Sequence, residues 1–155
     1  MPASIFGDRF LGARKPAWHG LGSTFEDRPM MSEAFARCNL NYPYLEGEAL
    51  ARVDGALITI PNRKAIIRGP TQDDPMHRVL SVVITDFTVI QNMELARMLD
   101  PISEHWPVET CGALGQGETV FATLDAGMAK IGGEDIGKFF LLTDSKDGKR
   151  NLDIA

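Results

Sequence analysis

The chain has 155 residues, of which 44% are hydrophobic and 24% charged, and a formal net charge of −5. That length fits one domain with its own core, in no need of a metal or disulfide to fold. No run approaches the roughly 20 apolar residues of a membrane helix, and the N-terminus lacks the apolar stretch of a secretory signal, so a cytoplasmic location in a bacterial host cell is expected.

Residues 1–30 are rich in Gly, Pro and aromatics and read as an irregular N-terminal arm; residues 31–155 read as a single α+β domain. A short helix is expected from Ser32, its N-cap, with Met31, Phe35 and Cys38 on one face. Four short strands should follow in a meander. The first three are NYPYLEGEALARV, GALITIP and RKAIIRG, separated by a strong hairpin signal at Asp54-Gly55 and a weaker turn at Pro61-Asn62. RVLSVVITDFTVI is the fourth. A second helix should start with Asn92 as N-cap and end near Ile102, with Leu95, Met98, Leu99 and Ile102 forming its apolar stripe. That stripe is expected to pack on Ile58, Ile60, Val82 and Ile84. VETCGAL and ETVFATLD then flank Gly115-Gln116-Gly117 as a hairpin, and FFLLTDS and NLDIA flank a turn at Lys146-Asp147-Gly148-Lys149. The fold class is therefore α+β: an antiparallel β-meander sheet packed by two short helices, behind an irregular arm.

The segment GALGQG (112–117) is the nearest approach to a phosphate loop, but a strand follows it where such a loop needs a helix, so it reads as a hairpin turn. His19, His77 and His105 share no ligand spacing, and no nucleophile elbow or zinc-protease motif occurs. Cys38 and Cys111 form no C-x-x-C pair and read as reduced, half-buried thiols. No catalytic residue, no metal and no cofactor are expected, and the chain reads as other than an enzyme.

Charge is unevenly spread. Residues 52–68 carry Arg52, Arg63, Lys64 and Arg68 against Asp54, a net of +3, while residues 69–118 carry Arg78 and Arg97 against eight acids, a net of −6. The basic strands are either a charged edge that blocks aggregation or the floor of an anion-binding groove. In KPAWHGLG, Trp18 either pins the arm to the core or stacks on a base.

Taken together, KPAWHGLG, NRKAIIRG, FTVIQN before a helix, ETCGALGQGETVF and LLTDSKDG resemble, in order and spacing, the N-terminal half of the phage/plasmid-like proteins built on domain of unknown function 932. The resemblance runs over residues 15–148. It implies carriage by mobile elements and no established activity. Family members usually have a histidine where this chain has Lys146, and they continue further; NLDIA reads as the start of a strand, in a truncated chain or a short relative. A β-meander followed by a helix is also similar to the core of phage single-strand annealing recombinases, with residues 52–102 as that unit.

Two functions follow as expectations. The first is a single-stranded nucleic-acid-binding module in replication or recombination, with Arg14, Lys15, Trp18, Arg52, Lys64 and Arg68 as contacts. Lys64 and Arg68 share a strand face and should outweigh Arg63 if that face is solvent. The second is an acidic, phage-encoded interaction protein that inhibits a host defence complex through the 69–118 stretch. The partner is a single strand or a host protein complex, without a membrane, and homo-oligomers are compatible with either.

Overall fold

The computed structural model of the protein describes residues 4–13, 22–149 and 152–155. Its elements run β1 (Ile5–Ala13), β2 (Ser23–Phe25), α1 (Met31–Arg37), β3 (Tyr44–Val53), β4 (Ala56–Arg68), β5 (Arg78–Ile84), α2 (Asn92–His105), β6 (Val108–Leu114), β7 (Thr119–Ile131), β8 (Glu134–Ser145) and β9 (Asp153–Ile154). They form two sheets: a larger one ordered β2-β1-β6-β7-β8-β9 and a smaller antiparallel meander, β3-β4-β5. The α+β class holds, with two refinements. The meander is one sheet of two, and the larger sheet is mixed because β2 runs parallel to β1.

The arm expected over residues 1–30 is in part regular structure. β1 pairs antiparallel with β6, matching Leu11 to Cys111, and Leu11 is buried in the core. The expected turn at Pro61-Asn62 is also absent. GALITIP and RKAIIRG are one strand, β4, interrupted by an irregularity where Asn62 takes a left-handed conformation (φ 55°). Such a bulge bends a strand without ending it. The meander therefore has three strands rather than four. The Asp54-Gly55 hairpin forms as expected, both residues adopting the positive φ (49° and 84°) that a two-residue turn between twisted strands requires.

On α1, Met31, Phe35 and Cys38 are all buried. Ser32 is not its cap: the helix starts after Met30, and its first amides are satisfied by the second helix. Met31 N–H donates to Ser103 Oγ and Ser32 N–H to the Asp100 carboxylate, both on α2. Asn92 is likewise the first residue of α2 instead of its cap, and its amide donates to Leu40 O. The two helices, tied to each other in this way, cover one face of the larger sheet. Leu95 and Leu99 enter the core with Val108, Cys111, Val120, Ala122, Leu124 and Leu142.

The expected seat of α2 is thus corrected. Its stripe packs on the larger sheet, while Ile58, Val82 and Ile84 of the meander are exposed and Met98 is 62% exposed. Periodicity fixes that a helix has an apolar face, not which of two sheets receives it. Leu95→Ala should lower the unfolding free energy by about 2–5 kcal/mol, as for buried leucines, whereas Met98→Ala should stay within about 0.5 kcal/mol. Urea denaturation of both variants checks the assignment.

Candidate functional site

The smaller sheet meets the larger one at a polar, aromatic joint. Paired residues on neighbouring strands share a face, so Tyr44, Ile66, Arg68, Ser81 and Val83 look the same way. That face meets the β6–β7 turn and the segment after β8. The hydroxyls of Tyr42 and Tyr44 both donate to Gly117 O, at 3.1 and 2.6 Å. Ser81 Oγ donates to Lys146 O at 3.1 Å. The 112–117 segment is thus the hairpin turn the sequence suggests, with Leu114 opposite Thr119. Gly117 (φ 93°) is crowded from three sides: a Cβ there would lie 2.9 Å from Tyr42 Oη, 3.0 Å from Arg68 Cδ and 3.1 Å from Phe6.

Two arginines run through this joint. Arg9 of β1 lies 4.4 Å from the centre of the Phe6 ring and Arg68 of β4 lies 4.7 Å from it, cation–π distances in both cases. One loop, between β4 and β5, supplies the acids. Asp73 takes both terminal nitrogens of Arg9 at 2.7 and 2.8 Å. Asp74 accepts from Arg68 Nη2 and from Arg78 Nε and Nη2. Thr71 N–H donates to Asp74 O, which closes the loop on itself. Arg68 Nε is buried without an acceptor among the described residues. Beside the joint, Lys146 is buried against Asp144 and lies 5.3 Å from the centre of the Tyr44 ring.

Titration follows this arrangement. Hydrogen bonds from Arg9 hold the Asp73 carboxyl below the usual range, and those from Arg78 and then Arg68 do the same for Asp74. Burial pushes the Tyr42 phenol up to about 12, raises Tyr44 well above its ordinary value, and lowers the Lys146 ammonium. Cys38 and Cys111 are free, buried thiols; contact with Cys38 and then burial raise Cys111 well above its ordinary value. A thiol so placed is held in its unreactive form.

The residues expected to touch nucleic acid are dispersed. Arg14, Lys15 and Trp18 lie outside the described residues. Arg52 is exposed on β3, toward the hairpin tip. Lys64 and Arg68 do share a face, but it is the face turned into the joint. Lys64 pairs with Glu46 at 2.9 Å, and Arg68 is fully buried. Arg63, on the opposite face, is exposed. The acidic stretch is depleted in the same way. Of its eight acids, Asp73 and Asp74 serve the arginines, Asp100 holds the start of α1, and Glu118 accepts from Gln116 N–H. Arg9, missed by the sequence reading, sits in a strand with no motif around it. The one signal pointing to it is its place between Phe6 and Phe10.

Residues 79–155 match the model of a family described as Domain of unknown function (DUF932). The chain belongs to a family built on that domain. The DUF932 match covers β5, α2 and β6–β9, the C-terminal half of this chain, so KPAWHGLG and NRKAIIRG fall outside it. An association with phages or plasmids is no part of the match. No curated protein and no solved structure matches the chain.

A carboxyl whose folded-state pKa is depressed stabilises the fold above its unfolded value, about 3.9, and loses that contribution as pH falls toward the folded value. Asp73 and Asp74 both belong to this class. The urea midpoint should therefore drop on acidification from about pH 5 to pH 3. An Asp73→Asn/Asp74→Asn variant should be less stable at pH 7 and show a shallower drop. Equal slopes in the two proteins would mean that the aspartates do not couple to folding.

Proposed function

We propose that the protein is an interaction module that binds a partner protein through the outer face of the smaller sheet. One observation carries this reading. Leu45, Ile67 and Val79 stand in register across β3, β4 and β5, followed on the same face by Val82 and Ile84. Val79, Val82 and Ile84 are 66%, 51% and 53% exposed. Single apolar side chains on a surface need no explanation, but a row continuous across three strands marks an interaction surface. Arg63 lies beside Ile84 on this face and has no acidic partner among the described residues. The complementary surface is therefore apolar with an acidic group at one end. A host protein complex, the target expected of a phage-encoded inhibitor, fits that description.

A photo-crosslinking residue at position 82, in cells that naturally make the protein, should give one discrete adduct with another protein. Arg63→Glu should abolish it, and the same probe at exposed Met98 should give none. Equal labelling at both positions, or an adduct of two copies of this chain, would sink the reading. Val82→Glu should change unfolding free energy by no more than about 0.5 kcal/mol, because the side chain is half exposed and lies outside the core.

A second reading, single-stranded nucleic-acid binding, rests on Arg52 and Arg63, exposed and without acidic partners among the described residues, and on the order of a β-meander followed by α2. It predicts salt-dependent binding of labelled single-stranded DNA. Arg52→Glu/Arg63→Glu should weaken that binding and flatten its salt slope by roughly 0.7 for each phosphate that is no longer neutralised. Absence of binding at low ionic strength removes this reading.

A further inference from the structure

Arg9 and Asp73 form a pair that is unequal in a way that points to a ligand. The Arg9 side chain is 4% exposed and that of Asp73 is 53% exposed. Arg9 is held independently of its partner: Nε donates to Asn39 O at 3.1 Å, and the guanidinium sits over Phe6 and Tyr42. Asp73 stands on a surface loop and can leave for water; the guanidinium cannot. Beside the pair lies a cleft of about 410 Å³, lined by Arg9, Asn39, Asn41, Thr71, Gln72 and Asp73. That volume lies within the range of small-molecule sites. Three of the five Arg9 N–H groups are used in the bonds already described, leaving two without an acceptor among the described residues, and the cleft's amides and hydroxyl supply further donors.

We propose that this cleft binds a small phosphate monoester, whose oxygens take the Arg9 fork in place of the Asp73 carboxylate. A guanidinium presents parallel donors that match two oxygens of a phosphate as well as those of a carboxylate. Charge selects the dianion. Among the described residues the ion pairs of this cluster set Arg9, Arg68 and Arg78 against Asp73 and Asp74, one positive charge in surplus; Asp8 lines an adjoining cleft that shares Arg9 and Asp73 but pairs with none of the three arginines. A free monocarboxylate gains nothing over Asp73, which is tethered beside the fork at high effective concentration. A phosphate monoester carries the second negative charge that the surplus can hold.

The test is thermal unfolding against inorganic phosphate and glycerol phosphate, with sodium chloride adjusted to keep ionic strength constant. The wild-type protein should be stabilised saturably by both phosphates and not by chloride. Asp73→Ala removes the internal competitor and should lower the half-saturating concentration at least about tenfold, equivalent to 1.4 kcal/mol. Arg9→Lys keeps the charge, loses the fork, and should abolish saturation. Should that variant fail to fold, the comparison of wild type with Asp73→Ala decides alone. Phosphate acting no better than chloride on the wild type, or Asp73→Ala binding no more tightly, overturns the proposal.

Discussion

The smaller sheet meets the rest of the molecule at a joint centred on two guanidinium groups stacked on one phenyl ring. Neither helix packs broadly on that sheet, and its outer face is bare, so its position depends on what happens at its base. There Arg9 comes from the larger sheet, Arg68 from the smaller one, and Phe6 serves both. Tyr42 and Tyr44 add two hydrogen bonds to a single carbonyl, and the close approach of Gly117 makes room for them. Burying two arginines is costly unless their charge is answered. The loop that joins β4 to β5 answers it with adjacent aspartates. A connection that on length alone would be a passive link between strands is therefore part of the joint.

The same joint explains what could and could not be read from the sequence. Features set by neighbouring residues were legible: the buried face of α1, the Asp54-Gly55 turn, and the hairpin reading of 112–117. Features set by remote partners were not. Helical spacing marked Leu95 and Leu99 as buried but could not name the sheet beneath them. Ser32 looks like a cap because caps are usually local, yet α1 takes its cap from Asp100 and Ser103 on another helix. Pro61-Asn62 has turn chemistry and is used to kink a continuous strand. Strand alternation correctly placed Lys64 and Arg68 on one face, and nothing local said that this face points inward.

Charge counted along a segment misled for a related reason. The +3 of residues 52–68 and the −6 of residues 69–118 do not describe two surfaces. Arg68 from the first segment neutralises Asp74 from the second, and Arg9, from neither, neutralises Asp73. Lys64 is met within its own sheet by Glu46. What remains for an outside partner is a reduced set of charges, whose basic members are Arg52, Arg63 and Arg97. A row of aliphatic side chains is the more extensive surface feature of the smaller sheet.

Pairing of β1 with β6 bears on the order in which the chain becomes structured. β3, β4 and β5 follow one another directly in the chain, so this meander is made from pairings close in sequence. β1 emerges first, yet has no antiparallel partner until the residues around Cys111 have been made. Until then Leu11 lacks the strand neighbour beside which it is buried in the folded protein. Contacts this distant in sequence slow folding, and exposed apolar strands attract chaperones or other nascent chains. The main core of this chain thus closes across a sequence separation of about a hundred residues, whereas the sheet that carries the aliphatic row closes between neighbours.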